Sequence, residues 1–254
     1  MTTLTPAEVI LHGLGITEPK EIDVEAIAWE LGARIKYRPL DNCEARIIGN
    51  GGKAIITVNS RSNNPRRQRF SVAHELGHWK FHRNRLLMCQ TADIGGSFDV
   101  LSPERVADMF ASDLLMPDYL LNPIARTQSK TNFQIVRDVS DVFDTSMTAT
   151  AIRLVEKKHF TAVLVCHGTQ GIKWFTRSPD IPEHWFPSAE LSSESFAFDI
   201  LFGGKPDDKF PRKIGADAWF NRWDADRYEV QEQTIRTAET EILSLVIITD
   251  EKML

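Results

Sequence analysis

The stretch Arg69-Phe70-Ser71-Val72-Ala73-His74-Glu75-Leu76-Gly77-His78-Trp79-Lys80-Phe81-His82 constrains this chain more than any other part of it. It contains an H-E-x-x-H pattern running from His74 to His78. On a helix, residues four apart share a face with Cβ atoms about 5–6 Å apart, so both imidazoles can reach one zinc at about 2.0–2.1 Å. Glu75 follows the first histidine, placed to act on a water at the metal rather than on the metal. Val72, Leu76 and Trp79 fall at i, i+4 and i+7, an apolar stripe that buries one side of the helix. The ligand face carries Phe70, His74, His78 and His82. Gly77 costs about 1 kcal/mol of helix propensity relative to alanine, which predicts that another element packs close to the site.

Composition bounds the rest. At 254 residues the chain has room for one large domain or two modest ones, and 42% hydrophobic with 26% charged residues describes a soluble globular protein. A net charge of −5 gives no sign of general nucleic-acid affinity. Cys43, Cys89 and Cys166 are odd in number and widely spaced, which argues against a disulfide framework and for a reducing compartment. The N-terminus lacks a basic region followed by an apolar core, and no run of about 18 apolar residues occurs. These features predict a cytoplasmic protein without a signal peptide or a membrane span.

Ahead of the motif, Pro6 to Leu14 is a short helix candidate, and Asp23 caps a second, Val24 to Leu31, ended by Gly32. Arg34 to Arg38, Arg46 to Ile48 and Ala54 to Val58 read as strands, the last two joined by Gly49-Asn50-Gly51-Gly52. A small antiparallel sheet is therefore expected before the metal helix, which starts at Asn63-Asn64-Pro65. Arg66, Arg67 and Arg69 oppose the dipole of that helix, which predicts acidic partners, for instance on the sheet, or a substrate role. A loop from Met88 leads to Ser102-Pro103, the N-cap and first residue of another helix that stops at Pro117.

A catalytic zinc needs a third protein ligand and an open fourth position. His82, Cys89, Asp93, Asp99 and Glu104 are the candidates. One straight helix can hardly wrap His74, His78 and His82 around one ion, and nothing after His78 matches the H-x-x-G-x-x-H extension. Glu104 on a second helix is the better geometric choice. Asp108, one turn on, could then accept the free N–H of a ligating histidine. His82 and Tyr119 are candidates for the oxyanion donor that peptide hydrolysis requires.

Three separated segments, Arg67 to His78, Glu104 to Ala111 and Leu114-Leu115-Met116-Pro117, together resemble the ImmA/IrrE metallopeptidases. The resemblance covers about residues 20–120. It implies a zincin-like fold, zinc held by His74, His78 and Glu104, and Glu75 as catalytic base. It also implies a cytoplasmic regulator of transcription and stress response, one that cleaves a helix-turn-helix repressor.

Residues 129–158 hold an apolar helical stripe (Phe133, Ile135, Val136, Val139, Val142, Phe143), a turn at Asp144-Thr145-Ser146, and a second helix, Met147 to Val155. This looks like a helix-turn-helix, and a similar segment follows the peptidase domain in some relatives. Arg153, Lys157 and Lys158 make too small a basic surface for DNA contact, so bracing of the metal domain is the favoured role. From Phe160 a hairpin (Thr161 to Cys166, Ile172 to Phe175), a helix near Glu194 to Leu201, and strands at Arg227 to Thr234 and Leu243 to Ile248 predict a smaller α+β domain. It carries 10 basic and 16 acidic residues, which disfavours DNA binding. Relatives can carry a GAF-like sensing domain here. The expected organisation is thus α+β throughout: a metallopeptidase domain over 1–128, helix-turn-helix-like helices over 129–158 and a sensor or substrate-docking domain over 159–254. The competing expectation is a non-catalytic, antitoxin-like partner that binds a repressor or DNA, with zinc as a staple closed by Cys89.

Overall fold

The computed structural model describes residues 3–82, 102–128 and 130–254. Thr5 opens helix α1 (Pro6–Gly13) with a capping box: its hydroxyl accepts from Glu8 N–H, and the Glu8 carboxylate accepts from Thr5 N–H at 2.9 Å. Asp23 caps α2 (Val24–Glu30) by accepting from Glu25 and Ala26 N–H. Gly32 follows at φ +79°, where a Cβ would meet the Gly52 carbonyl oxygen at 2.4 Å, so only glycine closes this helix.

Strands β1 (Ala33–Arg38), β2 (Ala45–Asn50) and β3 (Lys53–Asn59) form a sheet of order β1-β3-β2. β2 and β3 are the expected antiparallel hairpin, but β1 pairs with β3 in parallel, so the sheet is mixed. The reason lies in β3, whose Ala54, Ile56 and Val58 are buried and take the central position. Residues 39–44 carry the chain past β3 to the far edge, and the short turn at Gly51-Gly52 brings it back.

Asn64 caps α3 (Pro65–Phe81) through Arg67 N–H, with Pro65 in its first turn. Ser102 does the same for α4 (Pro103–Leu115) through Arg105 N–H. Pro117 ends that helix, yet a further helix, α5 (Asp118–Arg126), starts at once and was not expected. Helices α6 (Phe133–Phe143) and α7 (Met147–Glu156) follow, with Asp144 in the left-handed region at φ +50° between them.

The second sheet contains β4 (Ala162–Gly168), β5 (Gly171–Arg177), β6 (Arg212–Gly215), β7 (Glu229–Ala238) and β8 (Glu241–Ile248) in the order β5-β4-β8-β7-β6, antiparallel throughout. Helix α8 (Phe196–Leu201) packs on β7 and β8. Trp185, Trp219 and Phe220 fill the core on that face. The contacts divide the chain into two units. The first holds residues up to Ile124 together with Ser140–Ser146; the second holds Ala125–Val139 and Met147–Leu254. Among the described residues no helix is long and apolar enough to cross a membrane.

Candidate metal centre

The site is built where α3 meets α4. Val72, Ala73, Leu76 and Trp79 turn the apolar side of α3 inward, and Ala107, Ala111 and Leu114 do so on α4. The two helices approach closely at Gly77, where a Cβ would lie 2.8 Å from the Ala107 Cα, so the glycine is the price of the approach. That approach places His74, Glu75 and His78, each at most 2% exposed, against Glu104 and Asp108.

His74 Nε2 lies 3.0 Å from His78 Nε2 and 3.2 Å from Glu104 Oε2; His78 Nε2 lies 3.4 Å from the same oxygen. Ligand atoms bonded tetrahedrally to zinc at about 2.0–2.1 Å stand about 3.4 Å apart. The outer nitrogen of His74 meets Asp108 Oδ1 at 2.9 Å. An Nδ1–H donated to Asp108 leaves Nε2 with only a lone pair. Burial, aided by His74, pushes the pKa of His78 down to about 4, so its ring also stays neutral near pH 7. Two imidazole lone pairs and a carboxylate oxygen thus converge with little to separate them but a cation, and the donor set fits zinc.

Glu75 faces the opposite electrostatic problem. Burial raises its pKa to about 7, with His74 pulling down and Glu104 pushing up. Its Oε2 is buried without a hydrogen-bond partner among the described residues. A carboxylate with an uncommitted oxygen beside a ligand cluster can take and return a proton.

The other sequence candidates divide clearly. His82 stands with its Nδ1 3.2 Å from Nδ1 of His78, on the side away from the cluster, where it orients the ring. Tyr119 is not brought in: its hydroxyl donates to the Ile16 carbonyl at 2.8 Å and its ring lies 4.3 Å from that of His12. Cys89, Asp93 and Asp99 lie outside the described residues. The arginines do have acidic partners. Arg67 meets Glu44 beside β2, while Arg66 reaches Asp141 at 2.7 Å and Asp144 at 3.2 Å. Arg69 donates to the carbonyls of Ile22, Phe143 and Asp144. Cys43, which the motif reading passed over, lies within the electrostatic reach of Glu75. Nothing in its local sequence marks it; the path of the chain into β2 brings it there.

Comparison with known proteins gives a fold and a family. No curated protein matches the chain. Among solved structures, a Mycobacterium tuberculosis transcriptional regulator matches 95% of this chain and 74% of its own at 12% identity and a TM-score of 0.61, which shows a common fold. The model of the Peptidase M78 family, described as the IrrE N-terminal-like domain, matches residues 28–155, from α2 to α7. It takes in the α3–α4 cluster and extends beyond the three segments that carry the sequence resemblance. The chain therefore belongs to the Peptidase M78 (IrrE N-terminal-like) family of metallopeptidases.

Proposed function

We propose that this protein is a zinc endopeptidase that cleaves one partner protein, a helix-turn-helix transcriptional repressor, in the cytoplasm. The observation that carries the reading is the convergence of His74, His78 and Glu104 within 3.4 Å beside a buried, unpartnered Glu75 oxygen. Zinc held by the three ligands would supply Lewis acidity to a water and to the scissile carbonyl. Glu75 removes the proton of the attacking water and returns it to the leaving amine, a role its raised pKa suits in both directions. Asp108 holds the His74 ring in the tautomer that faces the ion, and His82 steadies His78.

The repressor as substrate is supported by the family and by the regulator with which the fold is shared. We read residues 1–128 as a zincin-like catalytic region, 129–158 as helix-turn-helix-like helices and 159–254 as a GAF-like sensor. An antiparallel sheet with α7 packed on β4 and β5 and α8 on β7 and β8 supports the last assignment. The competing reading, a non-catalytic regulator with zinc as a staple, leaves the buried Glu75 without a purpose.

The test is cleavage of a helix-turn-helix repressor encoded beside this chain. Glu75→Gln is expected to keep zinc and lose about 10²–10⁴-fold in rate. Glu104→Gln is expected to lose zinc and activity together. Cleavage at the wild-type rate by Glu75→Gln would overturn the assignment.

A further inference from the structure

The three-stranded sheet of the first unit has one covered face and one open face. Ala33, Ala45, Ala54, Ile56 and Val58 point to the covered side and are buried. The alternate residues point outward, and the pairing register sets them in rows. Arg34, Ile55 and Ile48 make one row, and Lys36, Thr57 and Arg46 the next. Arg38 and Lys53 stand at opposite ends of the face. The strands therefore bear Arg34, Lys36, Arg38, Arg46 and Lys53 but no acidic residue, in a chain whose acidic residues outnumber its basic ones by 35 to 30. All five cations are exposed. Among the described residues none of them stands in an ion pair or donates a side-chain hydrogen bond. The carboxylates between β1 and β2 are committed elsewhere, Asp41 to Arg61 at 2.7 Å and Glu44 to Arg67 at 3.1 Å. Arg34 stacks 4.7 Å from the centre of the Trp29 ring, which fixes its plane and leaves its N–H edge open to a carboxylate.

Charged side chains on an edge strand block edge-to-edge pairing, and β1 is an edge strand. That role explains neither Lys53 on the central strand nor Ile48 and Ile55, which stand 63% and 41% exposed among the cations. Along β1, residues two apart lie about 6.6 Å from each other, within the Debye length of about 10 Å at 0.1 M salt, so Arg34, Lys36 and Arg38 repel one another. A partner that brings both carboxylates and apolar side chains relieves the repulsion and covers the isoleucines. A nucleic acid matches the charge alone, since its phosphates find nothing to bind in two aliphatic side chains. We propose that the outward face of the β1-β3-β2 sheet docks a segment of a partner protein in which acidic residues are interspersed with apolar ones. Its carboxylates meet Arg34, Lys36, Arg38 and Arg46, and its apolar side chains cover Ile48 and Ile55.

The test is fluorescence anisotropy with the full chain and a fluorescein-labelled peptide of repeated Glu-Glu-Leu. A repeated Glu-Glu-Ser peptide of the same length and a single-stranded oligothymidine of about the same charge serve as comparisons. The Glu-Glu-Leu peptide is expected to bind best of the three. Arg34→Gln, Lys36→Gln and Arg38→Gln together are expected to weaken it about tenfold. Ile48→Ser with Ile55→Ser is expected to weaken the Glu-Glu-Leu peptide about fivefold and to leave the Glu-Glu-Ser peptide unaltered. Arg34→Lys with Arg38→Lys, which keeps the charge, should retain most of the binding. Arg61→Gln, which removes a cation of the same unit that is already paired, should change nothing. Should the triple variant fail to fold, as judged by circular dichroism, Lys36→Gln with Lys53→Gln is read in its place. Absence of binding by the wild-type chain, or binding that the cation variants leave intact, would overturn the proposal and leave edge protection as the role of the cations. Equal affinity for the two peptides would overturn it in favour of charge alone, and tighter binding of the oligothymidine in favour of a nucleic acid. An equal loss with Arg61→Gln would overturn it in favour of net charge. Binding is read without turnover, so its outcome and that of the peptidase reading are decided separately.

Discussion

Asp108 shows how much one residue can be read from spacing alone. It lies one turn after Glu104, so once Glu104 is taken as a ligand, a histidine partner for Asp108 follows from helix geometry and from the need to fix a tautomer. The structure puts the two atoms 2.9 Å apart. Asp108→Ala is expected to weaken zinc binding about 10- to 100-fold without unfolding the chain, as measured by chelator competition and circular dichroism. Unchanged affinity would make the contact incidental. His74, Glu75 and His78 were legible for the same reason: they are local. Tyr119 was not, because its partner Ile16 stands far away in sequence and nothing near Tyr119 points to it. Cys43 and the carbonyls that hold Arg69 are hidden in the same way.

At the scale of elements, punctuation was legible and long-range pairing was not. Asp23, Asn64-Pro65, Ser102-Pro103 and Gly32 mark helix ends because capping is satisfied within three residues. The parallel pairing of β1 with β3 depends on where the chain crosses, which no local pattern records. β6 escaped because it is a four-residue edge strand bearing Arg212 and Lys213, and α5 because Pro123 interrupts its pattern. Gly77 is the opposite case: its helix cost predicted a close neighbour, and Ala107 is that neighbour. Gly77→Ala is expected to force α3 and α4 apart, costing about 1–3 kcal/mol by overpacking and lowering zinc affinity with it. Thermal melts with and without zinc measure both; an unshifted melt would contradict the close approach.

For the whole molecule, the two units carry different sensitivities. His167 in β4 is 1% exposed, with neither ring nitrogen in a hydrogen bond of normal geometry among the described residues. Burial lowers its pKa to about 4, only partly offset by the Ser188 backbone. The folded chain therefore binds this proton less readily than the unfolded chain, whose histidines titrate near 6.5. Stability from this group is complete above about pH 6.5, declines as pH falls and bottoms out below about pH 4, a loss on the order of 3 kcal/mol. Urea unfolding of the metal-free chain at pH 7.5 and 4.5 should show that loss, and His167→Leu should shrink it. Equal pH dependence in both would place the effect elsewhere.

The central claim is that zinc sits in an open site of two histidines and a carboxylate, which leaves room for a water and a peptide. X-ray absorption at the zinc edge of the full chain tests it most directly. The account predicts only nitrogen and oxygen neighbours at about 2.0–2.2 Å, two of them imidazoles. A sulfur neighbour at about 2.3 Å would mean that a cysteine closes the site, and would contradict catalysis by this centre.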